Sequence, residues 1–342
     1  MRSIAANLLS VLIVAGIVLL AAFELARQQV AAPGPATEPV RLTVERGARM
    51  GTVAERLAEA GAIGNATLFR LAASYSGRAD QLKFGEYEIA PGASIEEILA
   101  LLSTGGNVDY RITAPEGWTV AEVVRLLEGA DFLTGEVEEM PAEGSLLPET
   151  YTVSRGDSRA DVIRRMQDAM QGVLDEAWEN RDPDLPLDSK EELLTLASVV
   201  EKETRPHEHG RVASVFINRL KRGMKLQSDP TVIYGITGGK EALGRGIKQS
   251  ELVAETPYNT YVIEGLPPTP IANPGRESIM ATANPENTRF LYFVADGSGG
   301  HAFAASLDEH NRNVAEWRRI ERQRLAEQSQ QRDAQEAQPA QQ

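Results

Sequence analysis

A chain of 342 residues, of which 42% are hydrophobic, can bury one large core or about two to three ordinary ones. It has no cysteine and only four scattered histidines, so disulfides, CxxC redox pairs and thiolate zinc sites are excluded, and no metal centre is predicted. The net charge of −14, without a basic stripe that carries interleaved aromatics, argues against binding of nucleic acid, and any chemistry must rest on carboxylates, hydroxyls, amides or lysine.

The N-terminus carries one long apolar segment. Residues 3–23 include no charged side chain, which is about the 20 residues that a helix needs to cross a hydrocarbon core. The alternative is a cleaved signal peptide, but the stretch is longer than a typical signal core, and Glu24 and Arg27 stand where a small-residue cleavage site is expected. We therefore predict a cytoplasmic N-terminus and transmembrane helix over residues 1–27. Arg2 stands on the short, N-terminal side of the apolar segment. This positive charge favours a single-pass inner-membrane protein whose remaining chain lies in the periplasm.

Two segments have the composition of unfolded chain. Residues 28–39 mix Pro, Gly and Ala with little periodicity, so we predict a linker between the membrane and the folded part. After Leu325 the sequence is rich in Gln, Ala and charge, with almost nothing apolar to bury. Residues 326–342 are therefore predicted to be a fraying helix that gives way to a disordered tail.

One pattern occurs three times between residues 40 and 142. Each copy has a short alternating strand, a glycine turn, a hydroxyl residue and an apolar helix. In each copy a glutamate follows the hydroxyl by three residues, the spacing of a capping box that satisfies free N–H groups at a helix start. The pairs are Thr52 with Glu55, Ser94 with Glu97, and Thr119 with Glu122. The pattern predicts small αβ units, and it leaves open whether they form a structural spacer or a wall-binding module.

Residues 143–325 are predicted to form a second, larger α+β domain. Helical periodicity runs over residues 158–180, 189–204 and 207–222, and again over 306–324. Between the third and the last of these helices, the segments TVIYGI, YVIEG and RFLYFVA are rich in β-branched and aromatic residues, so we predict strands there. The predicted fold class of the chain is α+β, with a single N-terminal transmembrane helix.

One acidic residue of the second of these helices falls on its apolar face. Counted at about 100° per residue from Leu193, Glu201 lies near 80°, inside the apolar arc. On the same scale Lys202 lies near 180°, toward solvent, and Glu203 lies near 280°, just past the edge of the arc. A carboxyl held inside the arc is desolvated, which raises its pKa toward values useful for a general acid. The spacing fits equally well a structural Glu201 that pairs with Arg211 or Arg219.

Polar and aromatic side chains cluster in the loops that follow. Short amides, hydroxyls and aromatic rings are the partners that sugar hydroxyls and N-acetyl groups need, although singly each is more often a turn former. The candidate substrate-binding residues are Gln227, Ser228, Asp229, Tyr234, Tyr258, Asn259, Thr260 and Asn273.

In order along the chain stand the motifs ASVVEKET, RVASVFINRLKRGMKLQSDPTVIYG, YNTY, GLPPTPIANPG and HNRNVAEW. Together they resemble the endolytic murein transglycosylases of the MltG (YceG-like) family. The resemblance implies LysM-like αβ repeats over residues 40–142 and a periplasmic catalytic domain that cleaves nascent peptidoglycan strands internally, with peptidoglycan synthases as possible partners. It also implies that Glu201, in the ASVVEKET motif, is the catalytic glutamate.

The implied reaction is that of a lytic transglycosylase. Such a lyase needs one carboxylate instead of the usual two, because the attacking hydroxyl is the sugar's own C6–OH. Glu201 would protonate the oxygen between MurNAc and GlcNAc and then take the C6–OH proton, which leaves 1,6-anhydro-MurNAc ends. This chemistry requires no cofactor. Asp229 and Glu149 remain alternatives as a second acid, since both stand in contexts typical of turns and caps.

Two other functions fit parts of the sequence. A non-catalytic peptidoglycan-binding or cell-division scaffold would need only the repeats and the anchor, and an exposed or salt-bridged Glu201 would favour it. A cytosolic pyridoxal-phosphate lyase would need a Schiff-base lysine and a phosphate cradle. Lys202 is predicted on the solvent side and no glycine-rich strand-to-helix loop fits, so this second alternative is disfavoured.

Overall fold

The computed structural model describes residues 2–106, 108–204 and 206–336, and the chain divides into two compact units. Unit 1 comprises Met1–Ile112, Asp131–Gly135 and Tyr151–Ser158. Unit 2 comprises Thr113–Ala130, Glu136–Thr150 and Arg159–Gln342.

Unit 1 combines helices with short strands. Its helices are α1 (Arg2–Ala31), α2 (Met50–Glu59), α3 (Ala66–Tyr75) and α4 (Ile95–Thr104). Its strands are β1 (Val40–Val44), β2 (Gly85–Ile89) and most of β3 (Asp109–Thr113) and β4 (Thr150–Ser154). Strands β1 and β2 pair antiparallel, with Val40 opposite Ile89 and Val44 opposite Gly85, and β3 and β4 form a second two-stranded sheet.

The core of unit 1 is built from the apolar faces of these elements. Its largest fully buried side chains include Leu57, Phe69, Tyr87, Ile98 and Leu102. They come from α2, α3, β2 and α4, so the helices cover the β1–β2 sheet with apolar side chains, as alternating strands and periodic helices require. Whether this region is LysM-like stays a prediction.

Two of the three predicted capping boxes are confirmed. Ser94 and Thr119 each accept a hydrogen bond from the backbone N–H three residues on, and the glutamate there accepts one from the cap residue. The first predicted box is wrong. Helix α2 begins at Met50, directly after Arg49, so Thr52 already lies in the first turn, where its backbone is helical and its hydroxyl cannot act as the cap.

The segment after α1 is docked on unit 1. The N–H of Gly34 donates to the Gly92 carbonyl at 3.1 Å, and the Gly92 N–H donates to the Ala36 carbonyl at 2.8 Å. A Cβ atom at position 34 would lie 2.4 Å from the Ala93 carbonyl oxygen, so only glycine fits this approach. Residues 28–39, predicted as a linker, thus continue from the helix directly into contacts with the folded unit.

Unit 2 is mainly helical. Its helices are α5 (Val120–Glu128), α6 (Arg159–Glu179), α7 (Lys190–Glu203), α8 (His209–Lys221), α9 (Asp229–Thr237), α10 (Gln249–Leu252), α11 (Arg276–Ala283) and α12 (Leu307–Glu336). Strands β5 (Tyr292–Ala295) and β6 (His301–Ala304) form an antiparallel pair. The mixed helix and strand content of both units confirms the predicted α+β fold class.

Helix α7 is the central element of unit 2. It contacts α6, α8, α9 and α11, and it is buried on almost every side. The buried residues are Leu193, Thr195, Leu196, Ala197, Ser198, Val199 and Val200. A helix surrounded in this way has no broad solvent face, so both glutamates at its C-terminal end point into the protein's interior or into clefts.

Two predicted strands of unit 2 are wrong. TVIYGI is the helix α9, because Pro230 in its first turn sets a helical φ and Gly238 ends it in the left-handed region (φ 59°). YVIEG forms turns, since the N–H groups of Val262 and Ile263 donate to the Asn259 carbonyl. The strand predicted in RFLYFVA is confirmed as β5. The last helix starts at Leu307 as expected but continues to Glu336, and residues 337–342 of the predicted tail lie outside the described residues.

Candidate active site

The C-terminal end of α7 presents two glutamates that meet different surroundings. Glu201 and Glu203 are two positions apart, so they leave the helix in nearly opposite directions. Lys202 between them is exposed, as predicted, and its ammonium donates to the Gly117 carbonyl at 3.1 Å. The two carboxyl groups are therefore separate candidates for the acid.

Glu203 is half-buried and lies in a polar pocket. Its Oε1 accepts the hydroxyl of Ser228 at 2.5 Å. Burial of the carboxyl raises its pKa from 4.5 to about 7, and the negative charge of Asp229 acts in the same direction. The hydroxyl of Ser228 and electrostatic interactions with His301 and Arg219 lower the pKa, but they offset only part of the desolvation. Glu203 is thus held near the pKa that suits a general acid at neutral pH.

A cavity of about 420 Å³ adjoins Glu203. Its walls combine charged, amide and aromatic side chains, the composition expected where sugar hydroxyls and amide groups bind. The polar and aromatic lining residues are Glu203, Arg219, Gln227, Asp229, Tyr261, Tyr292 and His310, and the apolar ones are Leu226, Phe293 and Leu307.

The loop before α9 is held in a defined geometry at this cavity. Gln227 adopts a left-handed backbone (φ 52°), which costs a residue other than glycine about 1 kcal/mol. Its N–H donates to the Thr260 carbonyl at 3.1 Å, and the Ser228 N–H donates to the Thr260 hydroxyl at 2.9 Å. Asp229 accepts the hydroxyl of Tyr261 at 2.7 Å. Strain of this kind persists where surrounding contacts fix it, as they do here.

Arg219 supplies a buried positive charge beside the cavity. Its guanidinium donates to the carbonyls of Leu291, Lys225 and Leu226, and burial lowers its pKa. The guanidinium is held by these backbone acceptors and forms no salt bridge with Glu203. On the same wall the ring of Tyr292 stacks on His310 with centroids 5.1 Å apart.

Glu201 lies in a second, smaller cluster. Its Oε2 accepts the N–H of Gly275 at 2.9 Å. Burial raises its pKa, while the Gly275 N–H and the nearby Ser278 hydroxyl lower it. Among the described residues, the Ser278 hydroxyl has no partner at hydrogen-bond geometry. Glu116 lies in the same cluster, and its pKa is raised by burial and then by the charge of Glu201. The carboxyl of Glu201 is therefore also more easily protonated than an exposed one.

The ion pair that would have made Glu201 structural is absent among the described residues. Arg211 lies 3.7 Å from Glu286, and Arg219 bonds backbone carbonyls near Glu203 instead. The structure therefore favours neither predicted pairing of Glu201.

The predicted substrate-binding residues fall into two groups. Gln227, Ser228 and Asp229 adjoin Glu203. The others are engaged inside unit 2: Asn259 donates to the carbonyls of Glu251, Leu252 and Ala254, and Thr260 bonds Ser228 and Thr231. Asn273 binds the Leu146 N–H and the Trp118 carbonyl. All three are fully buried, so their side chains shape the loops.

The two predicted tyrosines pack against each other away from Glu203. The rings of Tyr234 and Tyr258 lie 5.0 Å apart. The hydroxyl of Tyr234 donates to Glu143 at 3.1 Å, and that of Tyr258 bonds Thr269 at 2.8 Å. Neither residue lines the cavity at Glu203.

Sequence reasoning missed Glu203 as a candidate because it counted too narrow an apolar arc. Val199 lies about 40° from Glu203 on the same helix face and is fully buried, so including it would have extended the arc over Glu203. Tyr292 and His310 lie in segments noted in the sequence, RFLYFVA and HNRNVAEW, but no local pattern indicated that the fold brings them to the cavity at Glu203. Within the described ranges, no group of three or more His, Asp or Glu is arranged to hold a metal ion.

Comparison with known proteins gives concordant matches. Residues 42–316 match the YceG-like family. The endolytic murein transglycosylase of Bacillus subtilis (strain 168) is 29% identical over 306 residues, which cover 80% of this chain and 83% of that protein. That of Streptococcus pneumoniae serotype 2 (strain D39 / NCTC 7466) is 31% identical over 328 residues, covering 81% of this chain and 58% of the relative.

A solved structure also matches. The crystal structure of a yceG-like protein from Listeria monocytogenes is 28% identical, covers 81% of this chain and 99% of its own, and superposes with a TM-score of 0.49.

Proposed function

Because this chain belongs to the YceG-like family, we propose that it is an endolytic lytic transglycosylase, a lyase that cuts peptidoglycan strands internally. The names of the relatives in Bacillus subtilis and Streptococcus pneumoniae support this class. The single observation that carries the chemistry is Glu203, a buried carboxyl with a pKa of about 7 at the wall of a polar cavity. A carboxyl in that state holds a proton near neutral pH and can give it to a leaving oxygen.

The reaction proposed is cleavage of the MurNAc–GlcNAc β-1,4 bond. Neutral Glu203 donates its proton to the glycosidic oxygen as the bond from that oxygen to C1 of MurNAc breaks. The resulting carboxylate takes the proton of the C6–OH, and O6 bonds to C1, so that one C–O bond is broken and one is formed. The products are a new GlcNAc hydroxyl and a 1,6-anhydro-MurNAc end, with no water consumed. The hydroxyl of Ser228 holds the carboxyl in place through this cycle.

The cavity walls supply partners for the sugars. The exposed amide of Gln227 and the Asp229–Tyr261 pair lie beside Glu203, where they can bind hydroxyl and N-acetyl groups. The carboxylate of Asp229 also stabilises positive charge that develops at C1 in the oxocarbenium-like transition state. The rings of Tyr261 and Tyr292 offer apolar faces to the sugar rings.

Glu201, the catalyst predicted from the sequence, remains the second candidate for the acid. Its raised pKa and the neighbouring Glu116 favour a protonated carboxyl there too. Of the predicted ligands, however, only Asn273 belongs to its surroundings, and its side chain is buried and bonded to backbone. The geometry therefore supports Glu203 more strongly.

Paired substitutions decide between the two carboxyls. Glu203→Gln and Glu201→Gln change one atom each on the same helix, so each is the matched control for the other. Full-length protein in detergent is incubated with purified sacculi, and the released strand ends are identified by mass spectrometry. We expect 1,6-anhydro ends from the unchanged chain, a loss of at least about 100-fold with Glu203→Gln, and retained activity with Glu201→Gln.

Other results would redirect the proposal. The opposite ranking of the two variants would make Glu201 the acid. Reducing ends from the unchanged chain would mean hydrolysis and a second carboxylate. Binding to sacculi without any cleavage would favour the non-catalytic scaffold.

The same proposal places the enzyme at the membrane. Helix α1 is long and apolar enough to span a bilayer, and Arg2 on the N-terminal side of its apolar segment favours a cytoplasmic N-terminus with the chain after α1 in the periplasm. Protease added to spheroplasts should degrade the chain after α1, while the protein remains full length in untreated membranes. A soluble, N-terminally shortened main species would contradict the anchor. Association with peptidoglycan synthases stays a prediction of the resemblance.

A further inference from the structure

Helix α3 has apolar side chains on two faces, and unit 1 fully buries only one of them. Phe69 and Ala73 are fully buried in the core. Leu68, Leu71, Ala72 and Tyr75, which follow the i, i+3, i+4, i+7 spacing of one helix face, form the other face and line a groove of about 510 Å³. Leu71 is 63% exposed and Tyr75 is 81% exposed, so unit 1 leaves much of this second face uncovered.

The opposite wall of the groove is the end of α1. Phe23, Ala26 and Val30 face α3 across it, and the ring of Phe23 contacts that of Tyr75 edge-on with centroids 5.6 Å apart. The groove therefore lies where the apolar segment of α1 ends, within one folded unit.

The position of the groove along α1 identifies what covers it. The uncharged residues 3–23 span about 30 Å as a helix, which is the thickness of a hydrocarbon core. The wall from Phe23 to Val30 extends about 10 Å further, which crosses the adjoining headgroup layer of about 5 to 8 Å. Glu24 is the first charged residue after the apolar segment and pairs with Arg27 at 3.3 Å, as expected at the edge of the hydrocarbon.

The side chains of the groove also fit a lipid interface. Tyrosine, whose ring is apolar and whose hydroxyl is polar, is favoured at this depth, and the ring of Phe23 adds apolar surface beside it. Arg27 and Arg78 lie at the rim, where long basic side chains reach lipid phosphates. Glu96 lies there too, with its backbone carbonyl bonded by Arg78 at 3.4 Å, so the rim is not uniformly acidic like the chain as a whole.

We propose that the second face of α3, with the end of α1, is a membrane-seating surface that binds the lipid interface and holds unit 1 on the bilayer. The proposal rests on the membrane anchoring proposed above. Its occupant is lipid, with acyl chains against Leu71 and Tyr75 and phosphates at the arginine rim. In this arrangement unit 1 lies on the membrane surface, which agrees with the docked segment after α1.

Single cysteines test this surface in the full chain, which has none of its own. Leu71→Cys and Tyr75→Cys place an environment-sensitive fluorophore on the groove, and Thr43→Cys places it on an exposed position of β1 in the same unit. Each protein is inserted into vesicles of phosphatidylethanolamine and phosphatidylglycerol. All three positions are exposed, so each variant should keep the thermal unfolding profile of the unchanged chain, and this is measured first as the control for folding.

We expect lipid-attached quenchers to reduce the fluorescence several-fold more strongly at positions 71 and 75 than at position 43. Iodide dissolved in the water should quench positions 71 and 75 several-fold more weakly than position 43. Equal iodide quenching at all three positions overturns the proposal. Protection of 71 and 75 from both quenchers also overturns it, because a protein, such as a second copy of the chain, would then cover the groove. Resistance to carbonate extraction and cleavage of sacculi are measured on the same samples, so a failure of the seating surface is distinguished from failure of the anchor or of the enzyme.

Discussion

At the scale of single residues, Glu203 shows how burial and hydrogen bonding compete over one proton. The hydroxyl of Ser228 and electrostatic interactions with His301 and Arg219 favour the carboxylate, yet desolvation outweighs them and keeps the pKa at about 7. Desolvation acts only on the charged form, so folding itself favours the neutral acid. This property has consequences for activity and for stability, and both can be measured against pH.

The activity of the enzyme should fall as the pH rises through about 7. Free enzyme must hold Glu203 in its neutral form to donate a proton, and the raised pKa places the loss of that form near neutrality. We expect kcat/KM for glycan cleavage to decrease tenfold per pH unit on the alkaline side, which is about the slope for loss of a single proton. A profile that stays flat to pH 9 in the unchanged chain would exclude Glu203 as the acid.

The free energy of unfolding should also depend on pH through the titration of Glu203. The folded-state pKa lies above the ordinary value of 4.5, so the stabilising contribution is complete below about pH 4.5 and is lost as the pH rises through 7. The shift corresponds to roughly 3 kcal/mol between these limits. Urea unfolding at pH 5 and pH 8 should therefore show Glu203→Gln gaining stability relative to the unchanged chain at the higher pH. A difference between the two proteins that does not change with pH would contradict the buried state of this carboxyl.

At the scale of elements, the sequence predicted helices more reliably than their surroundings. The helices α6, α7 and α8 were predicted within a few residues, because caps and apolar periodicity are local signals. The segment TVIYGI failed, since its β-branched residues suggest a strand while Pro230 and the contacts of α9 with α7 decide for a helix. Which sides of α7 are buried depends on four neighbouring helices, and no local pattern contains them.

The N-termini of α4 and α2 differ in their capping, and this difference gives a test at the scale of elements. Ser94 caps α4 through a reciprocal pair, in which its hydroxyl accepts the Glu97 N–H at 3.3 Å and Glu97 accepts the Ser94 N–H at 2.8 Å. Thr52 lies within the first turn of α2 and is exposed. We expect Ser94→Ala to cost about 1 kcal/mol of unfolding free energy and Thr52→Ala less than about 0.5 kcal/mol. Urea titrations of the two variants measure this difference, and equal costs would mean that Thr52 serves as a cap after all.

At the scale of the whole molecule, the two units are interleaved in sequence. The chain passes from one to the other after Ile112, Ala130, Gly135, Thr150 and Ser158. Helix α5, which the sequence pattern groups with the N-terminal repeats, belongs to unit 2. The pattern could not reveal this, because the repeats report local strand and helix propensity, whereas membership of a unit depends on distant contacts. The boundary predicted between residues 142 and 143 therefore stays a prediction that a truncation can test.

A fragment of residues 144–342 should fail to fold, although it contains both candidate glutamates. It lacks four buried side chains of α5, namely Val120, Val123, Val124 and Leu127. It also lacks Trp118, whose carbonyl accepts both the N–H and the side-chain amide of Asn273. Burial of four such side chains contributes roughly 6 to 12 kcal/mol, which is comparable with the entire stability of a typical domain, about 5 to 15 kcal/mol.

The matched control is a fragment of residues 40–342, which keeps α5 and all of unit 2. We expect this longer fragment to show near-UV circular dichroism, a cooperative urea transition and release of 1,6-anhydro ends from sacculi, and the shorter one to show none of these. A folded and active 144–342 fragment would establish that the catalytic region begins at residue 143, and it would mean that the contacts of α5 and Trp118 contribute little to unit 2. Loss of folding in both fragments would instead show that unit 2 depends on residues before position 40, where α1 and the docked segment lie.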